Sequence, residues 1–240
     1  MIICAFVFIV AVFMIIYETK IPGRNWPIVR HWWQRACLLN GFQVGVVYLA
    51  GLTWDRFFLK WHHGFLSHLS PFFGGMLGYL VITFIFYWWH RWRHKSDFLW
   101  RFFHQLHHSP SRLEIATAFY KHPFELLADS FICSLILYPM LGLSREAAAN
   151  AVLLSGLAEL FYHWNIKTPY WLGFIFQRPE SHCIHHQDGV HSYNYSDLPL
   201  WDMLFGTFKN PKSWDGKCGL GEEQENRFMD MLKGIDVSKE

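Results

Sequence analysis

The chain has 240 residues, of which 52% are hydrophobic and 19% aromatic, with 17% charged and a formal net charge of +2. So apolar a composition argues against a soluble domain and for a membrane protein. The small charge, gathered beside apolar runs, excludes a basic nucleic-acid-binding surface, and five cysteines without a Cys-x-x-Cys pair exclude a disulfide framework or zinc knuckle.

Five apolar runs follow in chain order: residues 2–17, 38–54, 72–89, 126–143 and 147–162. Each approaches the ~20 residues that a helix needs to cross a bilayer. The first lacks a basic leading region and a small-residue cleavage site, so it reads as an uncleaved span rather than a signal peptide. The competing reading makes the shorter runs buried helices of a soluble protein. The expected fold is therefore all-α: an integral membrane helical bundle of four to five spans with a cytoplasmic helical cap.

Basic residues give the orientation. If the first span enters from outside, the inner loops hold Lys20, Arg24, Arg30 and Arg35, then Arg91, Arg93, Lys95, Arg101, Arg112 and Lys121. The outer loops hold Arg56 and Lys60, then Arg145. This is the asymmetry of the positive-inside rule. The expected units are N-terminal spans and connectors (1–70), a central domain (71–215) and a polar C-terminal tail (216–240), the tail a solvated helix or a frayed end.

Fifteen histidines are the chain's most unusual feature. Three clusters stand out: "HRWRH" (His90, His94), "HQLHH" (His104, His107, His108) and "HCIHH" (His182, His185, His186). Helical positions i, i+3 and i+4 share a face, so each cluster can aim its imidazoles at one place. The first sits at the inner end of the third span, the second follows closely, and a hairpin of spans returns the chain to the same side before the third. Eight imidazoles exceed the four to six ligands of one first-row ion, so two ions fit better, and imidazole suits iron, zinc and copper alike. The isolated His31, His62, His63 and His68 carry no assigned role.

These motifs resemble the fatty acid hydroxylase and sterol desaturase superfamily: His-x3-His, His-x2-His-His and, after a hairpin, His-x2-His-His. The tail "SHCIHHQDGVHSYNYSDLPLWDMLFGTF" is similar to the family's closing signature, and the resemblance runs from about residue 75 to 210. It implies a non-haem di-iron centre that uses O2 and two electrons to abstract hydrogen from an unactivated C–H bond of a lipid, with zinc a possible substitute in purified protein. The eight clustered histidines are then both catalytic and metal-binding. Neutral imidazoles leave such a centre more positive than carboxylates would, and an apolar pocket shields it from water.

In "ELFYH", Glu159 and His163 lie four apart, where some relatives carry a further histidine pair. His163 is the expected ninth ligand, and Glu159 either a carboxylate ligand, an acceptor orienting an imidazole, or a hydrated residue at a span end. His122 and His191 are weaker candidates for ligation or for hydrogen bonding to ligands. Asp188, Asn194 and Asp202 either fix imidazole tautomers or serve as cap and turn residues.

No dinucleotide fingerprint or electron-carrier pattern is present, so electrons are expected from a separate donor protein. The implied partners are a lipid substrate, O2 and that donor, in a membrane and without nucleic acid. Absent organelle signals and small size favour a bacterial inner membrane over an endoplasmic reticulum. Hydroxylation and desaturation share their first step and stay unseparated. Two other classes compete: a metal transporter, whose site belongs near the bilayer midplane, and a catalytically silent regulatory relative, which would have lost ligands.

Overall fold

The computed structural model describes residues 2–61 and 63–239, with the side chains of residues 2–4 left out, so His62 lies outside the described residues. Among the described residues the chain is helical, with one isolated bridge between Gln187 and Cys218. Helices α1 (Ile2–Lys20), α2 (Trp32–Leu52), α3 (Trp54–Trp61), α4 (Pro71–Lys95), α7 (Pro123–Leu135) and α8 (Arg145–His163) build the bundle. Shorter helices α5 (Asp97–Phe103), α6 (Gln105–His108), α9 (Pro179–His185), α10 (Pro199–Leu204), α11 (Glu222–Asn226) and α12 (Phe228–Leu232) build the cap.

Among the described residues three helical stretches are long and apolar enough to cross a membrane: Trp32–Trp61, Pro71–Lys95 and Pro123–Met140. The last extends α7 through a π-turn, Ile136–Met140, that absorbs Pro139. Helices α1 and α8 coincide with two more expected spans, but α8 carries Arg145, Glu146 and Glu159.

The site is positioned by the packing of α4 on α8. Gly74, Gly75 and Gly78 of α4 face Ala147, Asn150 and Ala151 of α8 so closely that a Cβ at these glycines would lie 2.6–2.9 Å from a neighbouring Cβ. Small residues let two backbones approach where lipid gives no hydrophobic drive for association. Around this seam Tyr79, Ile82, Leu137, Leu143 and Ala148 form the largest core. Ser70 caps the start of α4, with Pro71 as its first residue. Ser96 both ends α4 and caps α5, turning the chain sharply between the first two histidine clusters.

The C-terminal segment departs from the expectation of a solvated or frayed tail. Met231 and Val237 are buried against Trp32, Leu106 and Tyr120, and the Gln105 amide donates to the Ile235 carbonyl at 2.7 Å. Composition points outward because the polar residues are many, whereas the few apolar ones that are buried, Met231 and Val237 among them, seal the cap.

Candidate metal centre

The histidines converge on two places. One group comprises His90, His94, His104, His108 and His185, the other His107, His163, His182 and His186, and within each the ligand atoms lie within 4.8 Å of one another. Adjacent histidines are split: His108 and His185 join the first group, His107 and His186 the second. The reason is helical geometry, since residues i and i+4 share a face while neighbours point about 100° apart. Each His-x2-His-His motif thus serves both groups, and the rings of His108 and His186 stack at 4.2 Å where the groups meet.

Facing nitrogens come close: His104 to His108 at 3.1 Å, His163 to His182 at 3.2 Å, His182 to His186 at 3.1 Å, all Nε2 to Nε2. Two nitrogens bound side by side to one ion at about 2.0–2.1 Å stand about 3 Å apart, so the spacing suits shared coordination.

The outer nitrogens are oriented from behind. His90 Nδ1 donates to the Tyr195 carbonyl at 2.7 Å and His185 Nδ1 to the Tyr193 carbonyl at 2.8 Å. His163 Nδ1 donates to the Glu159 carbonyl at 2.8 Å, and His104 Nδ1 to Glu125 Oε1 at 3.0 Å. The Gln177 side-chain NH2 donates to His182 Nδ1 at 2.6 Å and to the Asn194 carbonyl at 3.1 Å. At the other four rings, fixing Nδ1 as a donor leaves Nε2 as a lone pair aimed inward, which is the form that binds metal. The buried Nε2 atoms of His90, His94 and His185 and the buried Nδ1 atoms of His107 and His186 have no hydrogen-bond partner. Each such atom costs ~1–3 kcal/mol when left unsatisfied, a cost that coordination removes at the three Nε2 atoms of the first group, while in the second group the close Nε2 spacing is the matching feature. The donor set therefore fits metal ions in both groups.

Electrostatics agree. Burial, reinforced by neighbouring histidines, holds His104, His107, His108, His182 and His186 well below the ordinary imidazole range. Burial lowers His185 to about 3 despite its bond to the Tyr193 carbonyl. The rings stay neutral and ready to ligate at physiological pH.

The loop that orients His90 and His185 is itself strained. His191, Tyr193 and Asn194 have φ of 38°, 68° and 49°, a region costly for residues other than glycine and least so for asparagine. Asn194 holds the loop by donating to the Ser181 and Lys209 carbonyls at 2.8 and 2.9 Å. Asp202 accepts from the backbone N–H groups of Tyr195 and Ser196 at 2.8 and 3.0 Å and from the Thr207 hydroxyl at 2.7 Å.

The profile of the fatty acid hydroxylase family matches residues 75–207, more than half of the chain. This chain belongs to the fatty acid hydroxylase family. Three relatives illustrate it. Ornithine lipid hydroxylase OlsE of Rhizobium tropici is 31% identical over 159 residues, covering 64% of this chain and 47% of the relative. Alkylglycerol monooxygenase of Homo sapiens is 31% identical over 141 residues, covering 55% and 29%. Lathosterol oxidase of Homo sapiens is 30% identical over 156 residues, covering 62% and 50%. The chain spans half or less of the length of these relatives, and no solved structure matches it.

All nine histidines of the two groups lie inside the fatty acid hydroxylase match. Glu159 is the exception among the expected ligands: its carboxylate pairs with Lys121, outside both groups, and it meets the ligand His163 through its backbone carbonyl. A nearby buried ammonium claims the charge that the metal reading assigned to it. His122 caps α7, accepting from Phe124 N–H at 3.1 Å, and bonds the Leu232 carbonyl, so it is structural. His191 reaches the first group indirectly, its Nδ1 lying 3.0 Å from His108 Nδ1. Asp202 and Asn194 act through the loop backbone rather than on the imidazoles.

Glu125, Arg93, Gln177 and the carbonyls of Tyr193 and Tyr195 are not legible from the motifs. Glu125 is fully buried, bound to both Arg93 and His104, and Arg93 also reaches Asp129 at 3.6 Å. Its signal is a carboxylate opening the apolar "HPFELLADSFICSL", where an unpaired charge is untenable.

Proposed function

We propose that the protein is a membrane-bound lipid oxidoreductase that hydroxylates or desaturates a C–H bond at two iron ions, one held by each histidine group. The observation that carries this reading is the pair of interleaved imidazole groups, five and four, with buried nitrogens lacking partners. Bound iron supplies, with O2 and two electrons from a separate donor protein, the oxidising power that a hydrocarbon C–H bond requires.

The chain's own residues do the rest. Glu125 and the Tyr193, Tyr195 and Glu159 carbonyls accept from the outer nitrogens and hold His104, His185, His90 and His163 in orientation, so little rearrangement at these rings accompanies metal binding. Tyr162, beside His163 and His182 at 4.9 and 4.5 Å, and the core of α4 and α8 limit water at the second group. The first group is closed by Trp100, which lies 5.5 Å from His94 and from His108.

A lipid substrate accords with the family and with the named functions of its relatives, which act on an ornithine lipid, an alkylglycerol and lathosterol. A transport site would lie midway along the spans. Here His90 and His94 occupy the last turns of α4, and seven of the ligands come from the cap and the end of α8.

Incubation with a membrane lipid extract, an electron donor and 18O2 tests the reading. Hydroxylation predicts a product that gains one labelled oxygen, and desaturation a product that loses two hydrogens. Lipids unchanged by iron-loaded protein, with the electron donor shown to be competent, would refute it.

A further inference from the structure

Two short cap segments expose far more apolar surface than a water-facing cap tolerates. In the 3-10 turn Tyr170–Phe174 and the residues after it, Tyr170, Trp171 and Phe174 are exposed, Trp171 by 62%. In and just after α10, Leu200, Leu204 and Phe205 are exposed, Leu204 by 63%. The segments are joined: the Asn210 amide donates to the Tyr170 carbonyl at 3.1 Å, Gln177 N–H to the Asp197 carbonyl at 3.1 Å, and Phe174 meets Phe208 at 5.8 Å. Contiguous exposed apolar patches mark membrane or protein contacts.

The position of α10 along α4 identifies what covers the patch. Trp201 packs on Phe84 at 4.9 Å and donates its indole N–H to Thr83 Oγ1 at 2.9 Å, while Phe205 packs on Trp88 at 4.9 Å. Phe84 lies five residues, about 8 Å, before Trp89, where the apolar run of α4 ends. Side chains of α4 at this level, Leu80 and Phe84, are themselves exposed and continuous with the patch. Cations stand at its polar margin: Arg91 lies 5.5 Å over Trp88, and Lys209 lies 3.7 Å over Tyr193. Aromatic and apolar groups about 5–10 Å below a boundary, rimmed by basic residues, are the chemistry of an in-plane membrane element.

We infer that residues 170–176 and 199–205 lie in the lipid leaflet at the histidine-bearing end of the spans, with Arg91 and Lys209 at its phosphates, rather than in water. The inference rests on α4 spanning the membrane. The cap is then half-sunk, and a lipid in that leaflet stands beside Phe205, whose neighbour Tyr87 packs on Tyr195, the residue whose carbonyl orients His90.

The test places a nitroxide at one position at a time of the full chain, through a ketone-bearing unnatural amino acid that leaves the cysteines intact. Position 204 is compared with lipid-facing position 44 of α2 and polar position 223 of α11, in vesicles of phosphatidylcholine and phosphatidylglycerol. Accessibility to O2 above that to a water-soluble nickel chelate at 204, as at 44 and opposite to 223, is the expected result. Nickel accessibility at 204 equal to that at 223 overturns the inference, as does protection from both reagents, which would mean a protein covers the patch. A water-like signal at 44 as well would overturn the membrane reading together with the inference.

Discussion

At the scale of single residues, each ligand motif divides its histidines between two groups, so adjacent substitutions are expected to differ. His107→Ala leaves three imidazoles in the second group, whereas His108→Ala leaves four in the first. Metal analysis should find about half the metal lost from the former, with the latter retaining more, because four imidazoles complete a tetrahedral site. Equal loss in both would contradict the division.

Glu125 acts through His104 and balances Arg93. Glu125→Ala should weaken metal binding ~10–100-fold and lower stability, because the buried guanidinium is left with only the longer pairing to Asp129 at 3.6 Å. Glu125→Gln keeps an acceptor for His104 and should recover part of the metal affinity, as read by chelator competition. Glu159→Gln should leave metal content unchanged, since its carboxylate serves Lys121; a loss of metal would return it to the ligand set.

At the scale of elements, the glycine seam carries the site, because α4 brings His90 and His94 while α8 brings His163. Gly78→Leu places a side chain where Ala151 and Leu137 already stand within 3 Å of the point its Cβ would occupy. Overpacking of this kind costs ~1–3 kcal/mol, and both thermal stability in detergent and metal retention should fall together. Asp202→Ala should relax the strained loop and loosen His90 and His185 without touching either ring.

What the sequence makes legible at this scale follows from local geometry. The histidine spacing is helical, so the clusters announce themselves and the i, i+4 rule predicts that they converge. The division into five and four is visible only once α5 and α6, α8 and α9 are set against one another. Glu125 lies 21 residues from His104, and the Tyr195 carbonyl 105 residues from His90, so no local pattern could pair them. Glu159 reads as a ligand in the sequence for the same reason: its partner, Lys121, is distant along the chain and near in space.

For the whole molecule, burial of so many imidazoles makes stability depend on pH. His185 and His191 have folded values of about 3 and about 4 against an ordinary 6.5, both lowered chiefly by burial. Between those values the unfolded chain binds protons that the fold refuses. The histidine contribution to the stability of metal-free protein is thus level above about pH 6.5 and falls as pH drops from there through about 3, with each tenfold difference in proton affinity between the folded and unfolded states worth about 1.4 kcal/mol. Thermal melts across pH 4–8 check the sign; stability rising on acidification would contradict it. The overall class is plain from composition and the helical runs, while the C-terminal segment is not, because its sealing residues Met231 and Val237 are few among many charges.

Iron content and Mössbauer spectroscopy of protein purified without oxygen, from cells grown on labelled iron, bear on the proposed chemistry before any substrate is known. Two irons per chain in a coupled pair are expected from two histidine groups whose rings stack against each other. A single iron, or none after reconstitution with ferrous iron under conditions where the protein stays folded, would contradict a two-iron lipid oxidase.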